Sequence, residues 1–198
     1  SNAQAFIDED TQYSRVWVYD AIDPGSGRMA KFMRINNESS SAMFLDSDEL
    51  VFPYSKYYRL AEHFTPDFKS ALILGGAAFS YPKYFLEKYP EATIDVVEID
   101  PELTRLAREH FMLTDNPRMH IIHEDARTYL NRSDKKYDVI YGDTFKSLYT
   151  LPWHLTTREA AQKSFDLLNE GGCTVVNIIS SLKGDASLFL QAELLTYQ

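Results

Sequence analysis

Residues 72–100 read LILGGAAFSYPKYFLEKYPEATIDVVEID. An apolar run, two glycines, a helical stretch, a second apolar run and an acidic end follow one another. That order predicts a strand–turn–helix–strand unit that holds a nucleotide at the carboxyl ends of its strands. The second run ends at Glu98, 22 residues after Gly76, near the ~20-residue spacing at which an acid meets ribose hydroxyls. The turn itself departs from the dinucleotide pattern. Counting from Gly75, Ala77 and Ser80 stand where the second and third glycines of G-x-G-x-x-G belong. A pyrophosphate needs the close backbone approach those glycines allow. A nicotinamide dehydrogenase is therefore disfavoured, and a nucleoside sulfonium, which has no phosphate, is the less demanding ligand.

On both sides of this unit, helical and strand patterns alternate. YSKYYRLAEHF precedes it as a helix, and PELTRLAREHF follows as one with Pro101 at its first position. RMHIIHED and YDVIYGD read as strands separated by the short helix ARTYLNR. TTREAAQKSFDLL then reads as a helix with Thr156 and Glu159 as a capping box, GGCTVVNII as a strand and GDASLFLQAELLTY as a helix. Buried strands joined by helical crossovers predict a doubly wound, parallel α/β sheet. Ahead of it, RVWVYD and MAKFMRIN flank DPGSG as a hairpin, and NNESSSAMFLDSDE adds a loop and a short strand. The chain thus divides into a tag remnant (Ser1-Asn2-Ala3) and N-terminal tail at 1–14, a β region at 15–50 and a Rossmann-like catalytic domain at 51–198.

Composition narrows the function classes. A chain of 198 residues, 44% hydrophobic and 25% charged, has the make-up of a soluble globular protein. Its net charge of −9 argues against a nucleic-acid partner, because nothing would release phosphate counterions. An acidic surface suits a cationic small substrate. The single cysteine, Cys173, lies in a strand pattern and reads as core. With no disulfide framework the expected setting is cytoplasmic, and no stretch approaches the 18 apolar residues of a membrane span. His120, His123 and His154 share no ligand spacing, so no metal is assigned.

Four strand ends carry the candidate site: Gly75-Gly76, Glu98, Glu124-Asp125 and Asp143. Each acid has a plainer alternative. Glu98 would otherwise be a solvated strand end, Asp125 a cap for ARTYL, and Asp143 a turn residue before TFKSLYTLPWH. Tyr54, Tyr57 and Tyr58 at helical spacing suit packing.

Taken together, SAMFLDSDELVFPY, DVVEIDPELTRLAREHF, HEDARTYL, YDVIYGD and LPWHLTTREAAQKSFDLLNEGG, in this order, resemble the spermidine synthase (polyamine aminopropyltransferase) family, in particular its diverged bacterial members. The resemblance runs from Arg15 to Tyr197 and implies a class I methyltransferase-like fold, with transfer of an aminopropyl group from decarboxylated S-adenosylmethionine to an amine. By the same resemblance Glu98 binds the ribose hydroxyls, with Gly75, Gly76 and Ile99 around it. Asp125, followed by Ala126, receives the adenine amino group, Asp143 is the catalytic aspartate and Tyr54 assists it. A primary amine, with a pKa near ~10.4, arrives protonated, so a carboxylate that binds the ammonium and takes its proton is the required chemistry.

Two family acids are absent. The loop aspartate falls nearest Ala78, and the second acid after the fourth strand is replaced by Lys146; a family glutamine falls near Ser40. The adenosine half of the pocket reads as retained and the amine half as altered, with Asp46 or Asp48 as substitute acids. Alternatives are a methyltransferase-like enzyme using intact S-adenosylmethionine, whose carboxylate Lys146 would pair, and a non-catalytic nucleoside-binding or interaction domain, the soluble part of a larger membrane protein. The family sheet closes with two further strands. A chain ending at QAELLTYQ reads as lacking them, which predicts either truncation or a homodimer that covers the edge strand.

Overall fold

A computed structural model describes residues 6–36, 38–47, 49–142, 157–178, 183, 191 and 194–196. Two sheets form. The first is antiparallel, in the order β1 (Ile7–Asp10), β2 (Arg15–Ile22), β3 (Met29–Ile35), β4 (Glu38–Phe44). The second is parallel, in the order β7 (Met119–Ile122), β6 (Thr93–Val97), β5 (Ser70–Leu74), β8 (Tyr137–Gly142), β9 (Leu168–Val176). This is the doubly wound parallel α/β sheet that the strand and helix patterns predicted, in the class I methyltransferase-like form that the family resemblance implied.

The N-terminal β region is larger than a hairpin and one short strand. Residues 7–10, assigned above to a tail, pair with β2 in the register Ile7↔Val18 to Asp10↔Arg15. The sequence IDED has one apolar residue and hence no strand signature. Backbone pairing and ion pairs hold it instead: Asp8 with Arg15 at 2.9 Å, and Glu9 with Arg105. β4 is a full seven-residue strand, although serines fill its first half.

Helices cover both faces of the parallel sheet. α1 (Pro53–Lys56), a 3-10 turn (Tyr57–Leu60) and α2 (Ala61–Phe64) lead into β5. α3 (Ser80–Lys88) and α4 (Pro101–His110) lie on one face with Ala71, Ile73, Ile94 and Val96; α5 (Ala126–Arg132) and α6 (Arg158–Asp166) adjoin Leu72, Leu74, Val97 and Ile140 on the other. The alternation along β5 and β6 follows from the period-2 pleat. Val16, Val18, Met33 and Met43 of the small sheet belong to the α3–α4 core, so the two sheets share one interior.

α6 is capped by Thr157, whose hydroxyl accepts the Ala160 N–H at 3.2 Å. The sequence pattern had placed the cap at Thr156, which lies outside the described residues; Arg127, donating to Thr157 at 3.0 Å, marks the position used. Within β6, Asp95 is a buried carboxylate that accepts from Lys135 at 2.6 Å, Tyr137 at 2.6 Å and His120 at 2.9 Å. Burial raises its pKa, but those three donors outweigh it and hold the carboxyl below the usual range. Among the described residues no helix is long and apolar enough to cross a membrane.

Candidate functional site

In a sheet ordered β7-β6-β5-β8-β9, the chain reverses direction of winding beside β5, and ligands collect outside the strand ends there. The loop after β5 occupies that place. Gly75 (φ +100°) turns the chain and donates its N–H to Val97 O at 2.8 Å. Gly76 and Ala77 both donate to Glu98 Oε2 at 2.9 Å. Ala78 N–H donates to Ser41 Oγ at 3.2 Å, and Phe79 N–H to Gly76 O at 2.8 Å.

Side chains replace glycine in this loop without opening it. Ala77 (φ +45°) and Phe79 (φ +59°) take left-handed conformations, each costing roughly 1–2 kcal/mol. The Phe79 ring is fully buried and lies against Gly76, where a Cβ would meet Phe79 Cζ at 2.9 Å. Burial of that ring, worth about 1.5–3 kcal/mol, offsets its strain. Ala78, nearest the family's loop aspartate, is also fully buried and packs in the core.

Glu98 is 6% exposed at the end of β6. Besides the two loop N–H groups it accepts the Asp100 N–H on Oε1 at 3.0 Å. Charge-assisted bonds of this kind fix a carboxylate's orientation. Ile99 beside it is 38% exposed. Asp125 caps α5, its Oδ1 accepting Thr128 N–H at 2.9 Å and Thr128 Oγ1 at 3.2 Å. The plainer role weighed for this residue is thus present in the structure. Ala126 is buried next to it, and Glu124 is turned to Arg132 at 2.7 Å.

On the opposite flank, Tyr54 stacks on Phe52 at 5.7 Å and meets the edge of Tyr58 at 6.3 Å. A cavity of about 20 Å³ lies between them and the loop, its wall including Tyr54, Ser41, Gly76, Ser80 and Tyr81. Tyr54 and the glycine turn are therefore brought together. Tyr58 is buried while Tyr57 is 67% exposed, and only Tyr58 joins Tyr81 and Tyr141 in an aromatic cluster, at 4.8 and 5.2 Å. Burial pushes the Tyr81 and Tyr141 phenols up, which keeps them protonated. β8 ends at Gly142, whose carbonyl accepts from Tyr58 at 3.4 Å. Asp143, Lys146 and Asp48 lie outside the described residues.

Asp46, named above as a substitute acid, is paired with Arg28 at 2.6 Å, with its side chain 68% exposed. Two side chains tie the loop down: Ser41, which the sequence did not single out, through Ala78, and Ser80, read above only as a missing glycine, whose hydroxyl donates to Ala42 O at 2.9 Å. Both ties join the loop to β4, and a side chain-to-backbone bond across 37 residues leaves no trace in local pattern. Among the described residues, no group of three or more His, Cys, Asp or Glu side chains is placed to hold a metal ion.

Fold and loop together define a class I methyltransferase-like α/β domain with a glycine turn after the central strand β5. The family model for the spermine/spermidine synthase domain matches residues 52–192, which include the loop, Glu98, Asp125 and Asp143. The chain belongs to the spermine/spermidine synthase family. It is 34% identical over 137 residues to a polyamine aminopropyltransferase of Vibrio vulnificus, covering 68% of this chain and 46% of that protein. It is 36% identical over 120 residues to a probable polyamine aminopropyl transferase of Bifidobacterium longum, covering 60% and 26%. The chain thus spans half or less of these relatives' length. A probable spermidine synthase from Corynebacterium glutamicum superposes with a TM-score of 0.81 at 28% identity, over 96% of this chain and 68% of that one. A spermidine synthase solved with the transition-state analogue AdoDATO shares the fold, with a TM-score of 0.74 at 20% identity, over 98% and 62%.

Proposed function

We propose that this chain binds decarboxylated S-adenosylmethionine and transfers its aminopropyl group to a small-molecule amine, releasing methylthioadenosine. The observation that carries this is the buried Glu98 carboxylate, ordered against the Gly75–Phe79 loop within a stretch matched by the spermine/spermidine synthase family. A carboxylate has about four acceptor positions and three N–H groups fill three, which leaves room for a ribose hydroxyl. Ile99 offers its exposed face to the adenine, and Asp125 and Ala126 border the base. Tyr54 orients the incoming amine. Asp143 accepts a proton from the ammonium, and the freed lone pair attacks the carbon beside the sulfonium. The C–N bond forms as the C–S bond breaks, and the electron pair returns to sulfur as a neutral thioether. Alignment in a pocket closed to water supplies much of the remaining acceleration.

The test is chromatographic detection of methylthioadenosine after incubation with decarboxylated S-adenosylmethionine and a panel of amines. Amine-dependent release is expected, with Asp143→Asn slowing it on the order of 10²-fold or more. Turnover of intact S-adenosylmethionine instead, or no turnover with any amine, would reject this assignment. The same proposal takes the protein as a cytoplasmic homodimer: β9 is the outermost strand of the described sheet, and outer strands invite pairing. Light scattering that gives a monomer mass at micromolar concentration would count against the dimer.

A further inference from the structure

The hydroxyl of Thr11 has its accepting side filled. It sits in the turn between β1 and β2, where the Tyr13 and Ser14 N–H groups donate to Oγ1 at 3.1 and 3.0 Å. One proton remains to be placed. Ser14 O lies at 3.1 Å and Asp100 Oδ2 at 2.6 Å; the carboxylate, closer and carrying charge, is the stronger acceptor. Asp100 is 2% exposed and uses its other oxygen to cap α4 through the Glu102 N–H at 3.0 Å. Its own N–H reaches Glu98 Oε1 at 3.0 Å, while Glu98 Oε2 holds Gly76 and Ala77 at 2.9 Å. An unbroken series of hydrogen bonds therefore runs from the small sheet, through Asp100 and Glu98, to the glycine loop. Other contacts dock the same hairpin without touching Asp100: Glu9 pairs with Arg105, and Phe6 meets the edge of His110 at 5.5 Å.

We infer that Thr11 is a positioning residue for the nucleoside site, fixing residues 98–100 so that the Glu98 carboxylate faces the loop. Its consequence for ligand affinity rests on the proposal that Glu98 receives the ribose hydroxyls; its consequence for the loop does not. Thr11→Val keeps the shape and removes the hydroxyl. Thr11→Ser keeps the hydroxyl. Glu9→Gln loosens the hairpin elsewhere.

Amide hydrogen exchange on the ligand-free chain reads the loop directly. In Thr11→Val the amides of Gly76, Ala77 and Asp100 are expected to exchange on the order of tenfold faster, the scale of losing one charged hydrogen bond. Thr11→Ser and Glu9→Gln should match the parent. Should Thr11→Val not fold, Asp100→Asn leaves the turn intact, makes the acceptor neutral and is expected to give the same signature. Unchanged exchange at Gly76 and Ala77 overturns the inference, and so does an equal acceleration in Glu9→Gln, which would assign the effect to hairpin docking in general. Titration with methylthioadenosine is the second reading, with weaker binding by Thr11→Val and recovery by Thr11→Ser expected. If the parent chain binds no methylthioadenosine, the functional proposal fails while the exchange result still decides the role of Thr11.

Discussion

At Gly76 one added methyl group would lie 2.9 Å from the Phe79 ring and 3.1 Å from Val96, and both neighbours are fully buried. Gly76→Ala is expected to lower stability by about 1–3 kcal/mol, the usual cost of overpacking. Shortening Phe79 to Leu in the same chain should reduce that cost, because the two sites share one space; a double-mutant cycle of urea midpoints measures the coupling. Ala77 differs, since its φ of +45° is a conformation glycine adopts without penalty. Ala77→Gly should raise stability by roughly 0.5–1 kcal/mol, read as a higher urea midpoint at unchanged slope. The glycine pair and the Glu98 spacing were legible in the sequence because both are short-range signals. The inward turn of Phe79 and the burial of Ala78 were not, because they depend on what lies beneath the loop.

Among the elements, β6 carries a buried carboxylate held by charged and polar partners. Asp95 is held below its ordinary pKa of 3.8 by Lys135, Tyr137 and His120 against the opposing effect of burial. A lowered folded-state pKa contributes stability that is fully present above the unfolded value, and that stability is lost as the pH falls through the folded value. Denaturant midpoints should therefore drop as the pH is lowered below about 3.8, and Asp95→Asn should flatten that part of the profile. At neutral pH the same substitution should cost about 2–4 kcal/mol, the range for breaking a buried charged network. Strands with apolar runs, such as β5 and β6, could be read directly from the sequence. β1 and the first half of β4 could not, since Ile7–Asp10 and the serines of β4 are strands by virtue of their neighbours.

Across the whole molecule, the small sheet and the parallel sheet share one core through Val16, Val18, Met33 and Met43. They should unfold together. Met33→Ala, in the antiparallel sheet, is expected to cost about 2–5 kcal/mol, with coincident transitions by far-ultraviolet circular dichroism and by tyrosine fluorescence; separated transitions would show two independent units. The sequence showed two regimes of pattern with a border near residue 51, but patterning cannot show that two regimes bury their apolar faces against each other. The loop after β5 also bears on competition inside a cell. Every N–H from Gly75 to Phe79 is already satisfied within the protein, so an incoming triphosphate finds no donors there and meets the Glu98 carboxylate. Under the proposed function, phosphorylated adenine nucleotides, however abundant, are poor rivals there, and a scarce nucleoside with a cationic sulfonium tail can hold the site without being crowded out.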